Sequence, residues 1–115
     1  GGTAGAQLIM VRKAFVIQVK SGMAAEYERR HKPIWPELAA ELKAHGVGRY
    51  SIFLREDTGE LYGSFEVADE NLFAHLAESE VCHRWWRHMT EVLVCEQPDS
   101  PKAKETMLRE VFHLD

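Results

Sequence analysis

Cysteine is scarce in this chain of 115 residues: Cys82 and Cys95 are the only two. They stand too far apart for the close Cys-x-x-Cys pairs that a zinc site favours. The opening residues 1–8 are small and polar and lack the basic-then-apolar pattern of a secretory signal. Two buried free thiols in a reducing cytoplasm are therefore expected. Long apolar runs are missing too, with none near the ~20 residues that a transmembrane helix needs. There is no Walker loop, no Gly-x-Gly-x-x-Gly, no Gly-x-Ser-x-Gly and no His-Glu-x-x-His, so phosphate and nucleotide binding have no support. The 14 Lys and Arg are outnumbered by 18 Asp and Glu, for a net charge of −4. They are also scattered, which excludes an electrostatic footprint for DNA, RNA or an anionic membrane.

What is present is the profile of one globular domain, 45% hydrophobic and 28% charged. A chain this long buries roughly 65% of the surface its unfolded form exposes, enough for one core. Residues 1–9 read as a vector-derived remnant or a flexible tail, and residues 10–115 as a single domain. From Lys13 to Lys20, Phe15, Ile17 and Val19 alternate with Ala14, Val16 and Gln18, which predicts a central strand. Ser21-Gly22 breaks it. Met23 to Lys32 reads as a helix capped by Ser21 and ended by the restriction Pro33 imposes. Pro33 and Pro36 interrupt it, and a second helical piece follows with Ile34, Leu38 and Leu42 on one stripe and Gly46 as its stop.

Tyr50 to Arg55 and Leu61 to Val67 are strand-like runs joined by Glu56-Asp57-Thr58-Gly59, a hairpin signal. Ala68 to Leu93 is helical in two pieces around Ser79, Cys95 to Lys104 is a loop, and Met107 to Leu114 alternates as a last strand. The order β-α-β-β-α-β is the ferredoxin-like split β-α-β pattern of the α+β class. Such a sheet has helices on one face only. Here both strand faces are apolar: Phe15, Ile17 and Val19 against Ala14 and Val16, and Leu108, Phe112 and Leu114 against Met107 and Val111. The second face needs a cover, and a second copy of the sheet in a two-fold dimer is the simplest one, with a ligand cavity accounting for part of the surface.

Two constellations have chemical content. In Tyr27-Glu28-Arg29-Arg30-His31-Lys32-Pro33-Ile34-Trp35-Pro36, Tyr27 and His31 lie four apart and share a helix face. His31 falls in the last turn, where unpaired carbonyls favour an imidazolium and burial opposes it, so the balance stays open. The alternative is a surface histidine capping a helix end. In Val81-Cys82-His83-Arg84-Trp85-Trp86-Arg87-His88-Met89, adjacent tryptophans point about 100° apart, so one fills the core while the other lines a wall or cleft, unless both are packing residues. Indole faces stack on sugar C–H groups and the indole N–H donates to a hydroxyl. His83 and His88 are five apart, which misses the i,i+4 spacing of a helical metal pair, and no metal is assigned. Tyr50 opens its strand on the side of Ile52 and Leu54, where it borders a pocket or the core edge. Glu28 and Glu37 read as solvated helix carboxylates.

These residues resemble the L-rhamnose mutarotase family. The likeness rests on Arg12-Lys13-Ala14-Phe15-Val16, on Tyr27 with Arg29-Arg30-His31, and on Pro33-Ile34-Trp35-Pro36-Glu37-Leu38. It continues through Tyr50, Val81-Cys82 and Arg84-Trp85-Trp86 with Met89, and ends at Glu110-Val111-Phe112. The resemblance implies a dimeric α/β barrel that interconverts the α and β anomers of L-rhamnose at C1 without cofactor or metal. It places His31 on the family's proton donor, and Tyr27, Tyr50, Trp85 and Trp86 on its substrate-binding positions. It further implies a cytoplasmic homodimer whose partner is a small sugar rather than nucleic acid or membrane. Two alternatives share the fold or the residues: a cofactorless or haem-dependent oxygenase, with His31 beside Trp35 as a haem ligand, and a non-catalytic sugar-binding module.

Overall fold

The computed structural model describes residues 10–115; the expectation for residues 1–9 lies outside them. Strand β1 spans Val11–Gln18, followed by helices α1 (Ala24–Arg30) and α2 (Pro36–Ala44). The hairpin β2 (Val47–Arg55) and β3 (Glu60–Val67) comes next. Helix α3 (Glu70–Ala74) then runs through a 3₁₀ turn at His75–Glu78 into α4 (Glu80–Met89), and β4 (Thr106–Leu108) closes the sheet. The strand order is β2-β3-β1-β4, with every neighbouring pair antiparallel. β1 and β2 therefore run parallel with β3 between them, which is the ferredoxin-like arrangement expected from the element order.

Local chemistry explains most boundaries. Pro36 occupies the first turn of α2, where its missing N–H costs nothing, and Gly46 at φ 79° ends that helix. Asp69 accepts from the Leu72 N–H at 3.0 Å to cap α3, and Ser79 accepts from the Cys82 N–H at 3.3 Å to cap α4. Ser21 does not cap α1 as expected. Met23 holds the cap position with no side-chain cap, because Ser21 lies two residues before it, too far back to place its hydroxyl on the first free amides.

Register sorts the two faces of the sheet. Phe15 pairs with Gly63 and Met107, and Ile52 also lies opposite Gly63, so these positions share the face beneath the helices. Phe15, Ile17, Leu61, Phe65 and Val67 on that face are buried against Leu38, Trp85 and Met89. On the outer face Phe53 lies opposite Tyr62 and Val16 beside it, while Ala14 pairs with Leu108. Phe53 is 65% exposed and Leu108 42%.

The last strand is much shorter than its alternation predicts. Only Thr106–Leu108 pair with β1, and Val111, Phe112 and Leu114 are almost wholly exposed. Past Leu108 the chain leaves the ladder although β1 continues alongside through Val11–Lys13, so that stretch of β1 stays unpaired on this side among the described residues. One tie remains, a two-point pair in which Arg12 Nε donates to Glu110 at 2.6 Å and Nη2 at 3.2 Å.

Candidate functional site

Between the helices and the inner sheet face lies a cavity of about 1020 Å³. All five site residues named from the sequence line it: Tyr27 and His31 from the end of α1, Tyr50 from β2, and Trp85 with Trp86 from α4. The same five also line an adjoining pocket of about 90 Å³. The volume is at the upper end of the ~300–1,000 Å³ of small-molecule sites, and its mostly apolar walls with a few polar tips are what such sites present.

His31 is the best-defined polar group. It closes α1, and its Nδ1 lies 2.9 Å from the Tyr27 carbonyl oxygen one turn back. A carbonyl only accepts, so Nδ1 carries the proton and Nε2 is the ring nitrogen left for a ligand. The imidazole lies 4.4 Å from the Tyr27 ring and meets the Trp85 indole edge-on at 5.3 Å. The competition left open by the sequence is decided by packing: burial pushes His31 below the ordinary imidazole value, and the bond to the Tyr27 carbonyl recovers only part. Near neutral pH the ring is therefore less often an imidazolium than the helix-end carbonyls alone would make it.

Aromatic contacts and ion pairs frame His31. Trp35 stands edge-on to Trp85 at 5.1 Å and lies against His88 at 5.4 Å. Arg30 donates to Glu26 at 2.8 Å, to Glu91 at 2.9 Å and to the His88 carbonyl at 2.9 Å, which fastens the end of α1 to the end of α4. The Arg29 and Arg30 guanidiniums hold the Glu26 carboxyl down at about 2. The two tryptophans divide as their 100° separation demands: Trp85 is buried in the core side of the wall, whereas Trp86 is half-buried and flanked by the Lys102 ammonium at 4.7 Å.

Tyr50 packs face to face on Phe65 at 5.0 Å and edge-on to Phe15 at 6.2 Å. Burial raises the phenol pKa of both Tyr27 and Tyr50, so each hydroxyl stays a hydrogen-bond donor. For Tyr50 the nearby charge of Glu105 contributes to the rise. Lys102 and Glu105, which line both pockets, went unnoticed in the sequence because they sit in the polar stretch before β4, a pattern shared by any solvated loop. Glu28 lines the larger cavity but is engaged by Lys32 at 2.5 Å. Cys82 is buried as expected, with its thiol raised by burial, while Cys95 is only half-buried; both are free. Among the described residues no cluster of His, Cys, Asp and Glu is arranged to hold a metal ion, and no helix is long and apolar enough to cross a membrane.

The family model for L-rhamnose mutarotase matches residues 12–114. An L-rhamnose mutarotase from Opitutus terrae is 54% identical over 106 residues, covering 92% of this chain and all of that protein. Another, from Salmonella newport, is 45% identical over 105 residues, 91% of this chain and 99% of its own. The crystal structure of an L-rhamnose mutarotase from Formosa agariphila superposes with a TM-score of 0.80 at 33% identity, over 91% of this chain and 99% of that one. A Shewanella oneidensis protein at 12% identity and TM-score 0.57, covering 89% and 91% of the two chains, shares the fold. The oxygenase and non-catalytic alternatives gain no support from these likenesses.

Proposed function

The chain belongs to the L-rhamnose mutarotase family, and on that premise we propose that it interconverts the α and β anomers of L-rhamnose by acid–base opening and closing of the ring at C1. The observation that carries this reading is His31, fixed through Nδ1 to the Tyr27 carbonyl on the wall of a cavity it shares with Tyr50 and two indoles. His31 is the proton donor to the ring oxygen in this scheme. A positioned acid of this kind contributes about 10²–10⁴ in rate. Tyr27 and Tyr50 are the substrate-binding phenols, with Trp85 and Trp86 beside them. Rhamnose carries a methyl group at C6 that needs an apolar contact, and the half-buried Trp86 face is suited to it.

The protein acts as a homodimer in this reading. Support comes from the exposed apolar residues Phe53 and Leu108 on the outer sheet face and from Phe112 and Leu114 beyond it, a surface that a soluble monomer seldom leaves uncovered. A cytoplasmic location belongs to the same proposal, supported by the two free thiols.

Saturation-transfer NMR on the anomeric protons of L-rhamnose tests the activity. Saturating the α signal should deplete the β signal only when protein is present, and His31→Ala should abolish that transfer while leaving sugar binding intact. No transfer with the unaltered protein overturns the activity; undiminished transfer with His31→Ala overturns the role of the histidine.

A further inference from the structure

Ring opening moves two protons. One must reach the ring oxygen O5, and another must leave the hydroxyl on C1. His31 supplies the first, and nothing named from the sequence accepts the second. Tyr27 and Tyr50 are poor candidates for the resting base because burial keeps both phenols protonated. Two carboxylates line the larger cavity, Glu28 and Glu105. Glu28 is committed to Lys32 at 2.5 Å and does not reach the smaller pocket around His31. Glu105 lines both, and among the described residues it takes part in no ion pair or hydrogen bond. Its backbone is held in place by β4, which starts at the next residue and pairs with Val16 and Phe15 on the strand beneath the cavity.

We propose that Glu105 is the second catalytic residue, the general base that takes the C1 hydroxyl proton while His31 protonates O5. The assignment rests on the mutarotase reading above. As the O1–H proton passes to the Glu105 carboxylate, the O–H electron pair becomes the second bond of the C1=O group. The C1–O5 pair withdraws onto O5, which takes the proton from the His31 imidazolium. Rotation about C1–C2 presents the other face of the aldehyde. The reverse transfers then close the ring and restore both groups, with no change in oxidation state. The titratable and charged groups that line the smaller pocket with Glu105 are Tyr27, Tyr50, His31 and Lys102.

The working form needs a charged carboxylate and a protonated imidazole, so the enzymatic rate should fall as pH rises and His31 deprotonates. Glu105→Gln keeps the shape and removes the base. Its kcat for anomer exchange should fall by about 10²–10⁴-fold with KM little changed. In Glu105→Ala, added acetate should restore part of the rate, which a merely structural side chain would not permit. A Glu105→Gln rate within about threefold of the unaltered protein overturns the assignment, as does a large loss with no acetate rescue of Glu105→Ala. Absence of exchange in the unaltered protein would instead overturn the mutarotase reading itself.

Discussion

Replacing Gly63 by alanine would join the stability of the sheet to the shape of the sugar site. A Cβ at Gly63 would stand 2.2 Å from Phe15 Cζ and 2.4 Å from Cε1. Carbon atoms in good contact are about 3.5–4.0 Å apart, so the ring must retreat by more than about 1 Å. It cannot retreat freely. Phe15 is 5% exposed, with Phe65 at 6.3 Å and Tyr50 at 6.2 Å around it, and the open direction is the cavity that Phe15 itself lines. Overpacking of this kind costs about 1–3 kcal/mol, whereas losing the buried ring altogether would cost about 3–5 kcal/mol. Because the cavity accepts part of the displaced ring, about 2 kcal/mol is expected. With a urea slope of about 1–3 kcal/mol/M, that lowers the unfolding midpoint by roughly 0.7–2 M. The ring and Tyr50 would then intrude on the sugar, so KM for L-rhamnose should rise in the same variant. Phe15→Leu in the Gly63→Ala background should recover at least about 1 kcal/mol, a coupling that two non-touching residues would not show. A single Gly63→Ala variant with unchanged urea midpoint and unchanged KM would refute the packing reasoning.

The two tryptophans should separate in the same assays: Trp85→Ala should lose about 3–5 kcal/mol of stability as a buried aromatic, whereas Trp86→Ala should lose less and chiefly raise KM. Equal stability losses would contradict the division between core and wall. His31 has a folded pKa below its unfolded one, so the folded protein binds fewer protons there. Its contribution is present above the ordinary imidazole value of ~6.5 and is lost as pH falls through the lower folded value. Thermal unfolding of His31→Gln should accordingly show a flatter decline in that acidic window than the unaltered protein, and an equally steep decline would place the effect elsewhere. For the dimer, Leu108→Lys combined with Phe112→Asp should convert a sedimenting dimer into a monomer; an unaltered protein that sediments as a monomer at micromolar concentration would overturn the interface.

What the chain fixed locally was readable without coordinates. The period-two runs around Phe15 and Phe65, the Glu56–Gly59 turn, the stop at Gly46 and the Ser79 boundary depend on side chains within a few residues of one another. They led to the element order and, through it, to the observed strand order. Tyr27 and His31 were readable as a pair because four residues make one helical turn. The last strand was over-extended because alternation at Val111–Leu114 records which residues prefer a sheet, not where the chain leaves the ladder.

The rest needed the folded chain. Nothing near His31 in sequence says whether helix-end carbonyls or burial sets its protonation, because the indole of Trp85 that packs on it arrives from α4. Nothing near Trp86 says which of the two indoles is buried until α4 is laid on the sheet. Glu105 and Lys102 look like ordinary loop residues, and only the return of β4 to the edge of β1 brings them to the cavity. Sequence therefore determined the elements and the residues able to do chemistry, since those follow from short-range sterics and side-chain type. Tertiary structure decided their protonation and their partners, since both depend on burial and on distances across the fold that no local pattern encodes.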